Sequence, residues 1–152
     1  MNPASQMQRK GGNMEDCIFC KIVQGEIPCF KIYEDENVLA FADINPINTG
    51  HTLIIPKNHA DNIWEISEDD LSAIHRASIK VAKAMQASIL SDGIACLQLN
   101  GRAVNQLVMH YHLHLIPRKA DDPKLTITEW ELVPGDMKLV EETANKIAAA
   151  VK

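Results

Sequence analysis

The stretch VMHYHLHLIPR, residues 108–118, carries His110, His112 and His114, each separated by one residue, in a chain with only six histidines. Imidazole has an unperturbed pKa of about 6.5 and is mostly neutral at pH 7. A neutral ring offers two kinds of chemistry. It ligates zinc and other transition metals. It also attacks phosphorus when one ring nitrogen is fixed as a donor and the other keeps its lone pair. A third possibility is inert: three polar residues on a solvated strand face. Residues 107–116 read as a strand, whose alternation puts His110, His112, His114 and Ile116 on one face. The imidazoles would then stand roughly 6–7 Å apart along the chain. Tyr111, Leu113 and Leu115 take the other face. That face is so cleanly apolar that it reads as core, which counts against the inert possibility.

A second cluster lies near the start, where Cys17-Ile18-Phe19-Cys20 forms a C-x-x-C pair. Such a pair can be redox-active, but no βαβ pattern surrounds it. One helical turn also brings both thiolates together as half of a zinc site, which then needs two further ligands. Reduced, metal-free thiols are the remaining reading.

The elements that must position these groups follow from patterning. Residues 15–24 (EDCIFCKIVQ) form a short helix or helical turn, broken by Gly25 and Pro28. Residues 29–33, 38–42 (VLAFA) and 51–55 (HTLII) are strand-like, and Pro56 stops the last. Asp43 to Gly50 is loop chemistry. Residues 67–91 form the main helix: Ser67 is the N-cap, acidic residues fill the first turn, and Ile66 and Leu71 have staple spacing. Leu71, Ile74, Val81, Met85 and Ile89 follow one helical face, and Asp92-Gly93 ends it. Residues 94–99 form a strand, Asn100-Gly101 a turn, and residues 136–151 a last helix with Leu139, Val140, Ala144, Ile147 and Val151 as its stripe. Cys29 and Cys96 are expected in the core, and His75 at or near the surface. Strands, a helix, then strands give an α+β fold, with an antiparallel sheet of about five strands, one long helix and a C-terminal helix. Residues 1–13 are expected to be disordered, and 14–152 to form a single domain.

Bulk properties narrow the partners. The 152 residues are 46% apolar with a net charge of −5 and no basic stripe, which argues against nucleic acid but not against a single nucleotide. No apolar run approaches the roughly 18 residues of a membrane span, and the N-terminus lacks the apolar core of a secretory signal. The expected compartment is the cytoplasm.

The motif His110-Tyr111-His112-Leu113-His114-Leu115-Ile116 resembles the histidine-triad (HIT) family of nucleotide hydrolases and transferases. Residues 41–60, FADINPINTGHTLIIPKNHA, are similar to a second family segment. Asn100-Gly101 and Gln106-x-Val108-x-His110 resemble its phosphate loop, and Cys-Ile-Phe-Cys-Lys-Ile the start of many bacterial members. The resemblance spans roughly residues 16–118.

That resemblance implies a mechanism and a site. His112 would attack the α-phosphorus of a nucleotide, giving a nucleotidyl-histidine that water hydrolyses. His114 would lie near the phosphate or leaving group, and its presence in place of glutamine favours a hydrolase over a transferase. Asn100 and Gln106 would donate to phosphate oxygens. Asp43 would accept from ribose hydroxyls, and Phe19, Ile22, Phe41, Ile44 and Val108 would line the nucleotide site, with core packing as the alternative for the apolar ones. Cys17, Cys20, His59 and His110 would hold a structural zinc, with no catalytic cofactor. His51 would stand behind the triad. A homodimer through the long helix and a strand is implied, and a purine ribonucleotide or its conjugate as ligand. Residues 119–152 would shape leaving-group preference. Two departures stand out: Leu107 and Asn105 occupy positions where the family usually has a polar residue and glycine. They leave open a nucleotide-binding protein without turnover. A triad holding a catalytic ion is a further alternative.

Overall fold

A computed structural model describes residues 14–125 and 132–152. The segment expected to be disordered, 1–13, lies outside the described residues. A single helical turn, Met14–Asp16, leads into helix α1 (Ile18–Val23). Strands β1 (Lys31–Glu34), β2 (Val38–Ala42) and β3 (Thr52–Pro56) follow, then helix α2 (Glu68–Ile89), strand β4 (Gly93–Leu97), strand β5 (Leu113–Arg118) and helix α3 (Met137–Ala150). The five strands form one sheet in the order β1-β2-β3-β5-β4. Every neighbouring pair is antiparallel, so the fold is α+β.

Alternation sorts the side chains of the sheet into two cores. Val38, Ala40, Ala42, Ile54, Leu113 and Leu115 pack beneath α2 and α3. Leu39, Phe41, Leu53 and Ile55 face the other way and pack with Cys17, Phe19 and Cys20 of the N-terminal turn. Burial on both faces explains why β2 and β3 read as unbroken apolar runs.

Helix α2 starts where capping chemistry puts it. The Ser67 hydroxyl oxygen accepts the Asp70 N–H at 3.1 Å, and the hydroxyl donates to the Asp70 carboxylate at 2.8 Å. Its buried face is Ile74, Val81 and Met85 with the alanines between them. Its end differs from expectation: the helix stops at Ile89, and Leu90 takes a left-handed conformation (φ 53°), an uncommon role for a branched residue. Gly93 instead opens β4. In α3, Asp136 caps the Lys138 and Leu139 N–H groups. Val140, Ala144 and Ile147 are buried, while Leu139 of the expected stripe is exposed.

Two further expectations are corrected. Cys96 is exposed, because β4 is the sheet's edge strand and is open along its length. Cys29 packs half-buried against the second core, and His75 is exposed, both as expected. The strand expected over 107–116 begins only at Leu113. Before it, the His110 N–H bonds the Val108 carbonyl in a tight turn at 2.9 Å. The Tyr111 N–H goes to the Ala60 carbonyl at 2.7 Å. These bonds replace a strand ladder, so the three histidines do not form an even row. No helix among the described residues is long and apolar enough to cross a membrane.

Candidate functional site

The bend at His110 divides the three imidazoles between two sites. Helix α1 is set by Cys17, whose sulfur caps the Cys20 N–H at 3.5 Å. This aims both cysteines at His110: Nδ1 lies 3.4 Å from Cys17 Sγ and 3.5 Å from Cys20 Sγ. His59 joins from the loop after β3, with Nδ1 3.3 Å from Cys20 Sγ. The four donor atoms lie within 4.8 Å of one another. A tetrahedron with zinc–sulfur near 2.3 Å and zinc–nitrogen near 2.0–2.1 Å has S···N edges of about 3.5 Å, which these distances match.

Outer hydrogen bonds fix the rings for that task. His110 Nε2 lies 2.8 Å from the Pro56 carbonyl, and His59 Nε2 lies 2.9 Å from an Asp61 carboxylate oxygen. Both acceptors require the proton on Nε2, so each Nδ1 presents its lone pair to the sulfurs. Burial and the neighbouring Cys17 push the Cys20 thiol up to about 12, a cost that a bound cation offsets. The four residues therefore fit a tetrahedral zinc, and they are the four that the sequence resemblance grouped as ligands. Asp61 was missed, because a carboxylate two residues from a histidine carries no distinctive pattern.

His112 and His114 line a different space, a cavity of about 270 Å³ between α1, β2 and the loop before β5. Phe19, Ile22, Phe41, Asp43, Ile44 and Val108 line it too. Phe19 links the two sites: its ring meets His112 edge-on at 5.3 Å, Phe41 at 5.5 Å and His110 at 5.9 Å. Sequence reasoning missed Leu53 and Leu132 on the cavity wall. Leu53 is opposite Phe41 in the β2–β3 register, a pairing that sequence alone does not display.

Hydrogen bonding settles the tautomers. His112 Nδ1 lies 2.6 Å from the His110 carbonyl, so Nδ1 carries the proton and Nε2 keeps its lone pair. The Ile47 N–H donates to His51 Nδ1 at 3.1 Å, so His51 carries its proton on Nε2. That Nε2–H reaches His114 Nδ1 at 2.9 Å, and His114 must hold its own proton on Nε2. The pair of cavity histidines thus comprises one lone-pair nitrogen and one N–H donor. Burial holds all of them neutral: His114 is lowered to about 2 and His51 to about 3, each with a further push from His112, and His112 is lowered as well.

Asp43 completes the arrangement. It accepts the Asn45 N–H at 2.8 Å and lies 3.6 Å from His51 Nε2, and burial raises its pKa to about 6. Asp43, His51 and His114 also offer three ligand atoms within 4.8 Å. A metal on His51 Nε2 would require the proton on Nδ1, where the Ile47 N–H already donates. The His51–His114 pair is hydrogen-bonded, with Asp43 nearby at 3.6 Å, and this proton placement does not suit a metal.

Asn100 and Gln106 are not brought to the cavity. Gln106 is buried, and its amide donates both hydrogens, to the Asp61 carbonyl at 2.5 Å and the Val108 carbonyl at 3.1 Å. Its oxygen accepts the Gly101 N–H at 2.7 Å. Asn100 accepts from the Ile63 N–H at 2.7 Å and pairs with Gln98. Both brace the loop that leads into the histidines. In that loop Asn105 adopts φ 65°, the left-handed conformation that a glycine would take freely and asparagine tolerates. Leu107 is exposed on the cavity wall.

Comparison with known proteins agrees with the geometry. The family model described as "HIT domain" matches residues 24–121. Protein hit of Bacillus subtilis is 46% identical over 104 residues, 68% of this chain and 72% of its own length. A Schizosaccharomyces pombe protein named adenosine 5′-monophosphoramidase hnt1 is 41% identical over 134 residues, covering 86% of this chain and 98% of its own. The crystal structure of a zinc-bound histidine triad family protein from Mycobacterium smegmatis superposes with a TM-score of 0.79 at 34% identity, over 91% of this chain and 95% of that one.

Proposed function

Because the chain belongs to the HIT domain family, we propose that it is a nucleotide-binding hydrolase that cleaves a phosphoramidate or phosphoanhydride bond at a purine nucleoside 5′-phosphate. The observation that carries this reading is the bond from His112 Nδ1 to the His110 carbonyl. It leaves the Nε2 lone pair of a buried, neutral ring facing the cavity. His112 Nε2 attacks the phosphorus, the leaving group departs, and water releases the monophosphate from the nucleotidyl-histidine. His114 Nε2–H donates to the phosphoryl or leaving-group atom, where negative charge develops. Asp43 accepts from the ribose hydroxyls. Phe19, Phe41, Ile22 and Ile44 take the base.

Cys17, Cys20, His59 and His110 hold a structural zinc in this reading. Bound there, the ion ties the turn that carries Phe19 to the segment that carries His112. The chain further pairs as a homodimer. Support comes from β4, an open sheet edge, and from the exposed Ile79 on α2.

A second reading rests on Leu107, which places an apolar side chain at the cavity where the family usually has a polar one. It makes the protein a nucleotide binder without turnover. Incubation with adenosine 5′-phosphoramidate, with and without chelator, separates the readings. Turnover that persists with chelator and disappears in His112→Ala is expected. Binding without turnover favours the second reading, and turnover lost only with chelator favours a catalytic metal.

A further inference from the structure

The turn that delivers His51 is gripped by β5 at both ends. At one end is the His51–His114 hydrogen bond. At the other is Arg118, further along the same strand. Its guanidinium donates to the side-chain oxygen of Asn48 and to the Pro123 carbonyl. On its opposite side the Asn48 amide donates to the Asp122 carboxylate at 2.9 Å. Asp122 is itself held: it accepts the Lys119 N–H at 2.8 Å and lies 3.7 Å from Arg118 Nε. A donor cation on one side and an acceptor carboxylate on the other leave the Asn48 amide one orientation. Its backbone is engaged as well, since the Asn48 carbonyl accepts the His51 N–H at 3.0 Å.

A single bond to His114 would let the turn pivot. A second attachment, about 13 Å further along the strand, removes that freedom. The strand itself is a fixed frame, because β5 lies between β3 and β4. The side chains of Arg118 and Asp122 are 18% and 21% exposed, too wet for their ion pair to be a major source of stability. What the cluster fixes is geometry. Resting on the hydrolase reading above, we infer that Arg118, Asn48 and Asp122 are positioning residues. They hold the 47–50 turn where the Ile47 N–H orients His51, and so keep the His114 proton on Nε2, toward the cavity.

The test reads two quantities in Asn48→Ala and Arg118→Gln. The first is the His114 tautomer, from long-range nitrogen–proton NMR spectra of histidine-labelled protein. The parent should hold the proton on Nε2, and the variants should show a mixture. The second is kcat and KM for two substrates: adenosine 5′-phosphoramidate, whose leaving nitrogen depends on a donor, and the p-nitrophenyl ester of adenosine 5′-monophosphate, whose ring spreads the departing charge. Each variant should lose about tenfold or more in kcat on the phosphoramidate, with KM within about twofold, and less than about threefold in kcat on the ester. A merely structural role would lower both substrates alike. In a His51→Ala background, Asn48→Ala should have no further effect on kcat, because the link it acts through is already cut. An unchanged His114 tautomer in both variants, equal losses on the two substrates, or a loss undiminished in the His51→Ala background overturns the inference while the hydrolase reading stands. Absence of His112-dependent turnover in the parent overturns the hydrolase reading, and the tautomer spectra then decide by themselves whether the cluster places the proton.

Discussion

His51 Nε2 lies 2.9 Å from His114 Nδ1, and the Ile47 N–H on its far side dictates which of the two rings donates. One backbone amide thereby sets the proton position on a side chain 67 residues away. The consequence can be tested at His51, which is buried and lines the back of the site, with Asp43 beside it. Replacing His51 by alanine leaves His114 free to adopt the other tautomer, with a lone pair toward the cavity. We expect kcat to fall on the order of 10²-fold, within the span of positioned proton donors, with a smaller change in KM. The Ile47 N–H also loses its partner, a stability cost of about 1–3 kcal/mol. Steady-state kinetics alongside thermal melts check this. A normal kcat in the variant would show that His114 needs no such orientation.

Zinc content is the second expectation. Protein purified without chelator should contain close to one zinc per chain, and Cys20→Ser should lose it. Loss of the ion should also lower the melting temperature, because α1 has only six residues and is tied to the sheet through these ligands. Since none of the four residues belongs to the core beneath α2 and α3, chelated protein should retain a folded sheet. Metal analysis and calorimetry on the same sample decide the matter, and absence of zinc from unchelated protein would remove the site.

Asp43 gives a pH dependence with a definite sign. Its pKa is raised from 3.8 to about 6 by burial, so the folded state holds the proton more tightly than the unfolded chain. Stability contributed by this group is present below pH 4 and is lost as pH rises through about 6. At pH 7 the buried carboxylate costs up to about 3 kcal/mol on a scale of 1.36 kcal/mol per pKa unit. Asp43→Asn keeps an acceptor for the Asn45 N–H and should therefore melt higher than the parent at pH 7, with the difference shrinking toward pH 4. Adenosine binding should move oppositely. The ionised form accepts ribose hydroxyls, so affinity should rise with pH through about 6 and drop by roughly 10-fold or more in the variant, the scale of a hydrogen bond to a charged group. Calorimetric titration with the nucleoside avoids the phosphate's own ionisation. An affinity that is flat from pH 5 to 7.5 would show that Asp43 does not meet the ribose.

These couplings explain what was and was not legible in the sequence. VLAFA and HTLII register almost to the residue, because an apolar run bounded by turn residues has few other uses in so short a chain. The Cys17, Cys20, His59 and His110 cluster was legible as residue types, and Ser67 as a cap. Residues 107–112 were not, because an apolar run (Leu107, Val108, Met109) followed by alternation from His110 onward imitates a strand. Their backbone groups bond Ala60 and Val108 instead, which only the tertiary structure reveals. Gln106 has the same origin. Its sequence context suggests a phosphate donor, but its hydrogens are taken by Asp61, 45 positions away in the chain, and by Val108.

Gly50 is the last link in this placement, since it precedes His51 and turns the chain into β3. Its φ of +90° lies where side chains are disfavoured. A Cβ there would stand 2.7 Å from Ile89 Cδ1 and 3.2 Å from Pro117 Cγ. The isoleucine end can swing aside, but the proline ring and the backbone conformation cannot relax as easily. Gly50→Ala should cost about 1–3 kcal/mol from strain and overpacking together. Because the strain acts on the turn that delivers His51, the variant should lose activity at temperatures well below its melting point. Gly50→Ala with full activity and an unchanged melting temperature would show that the turn has slack.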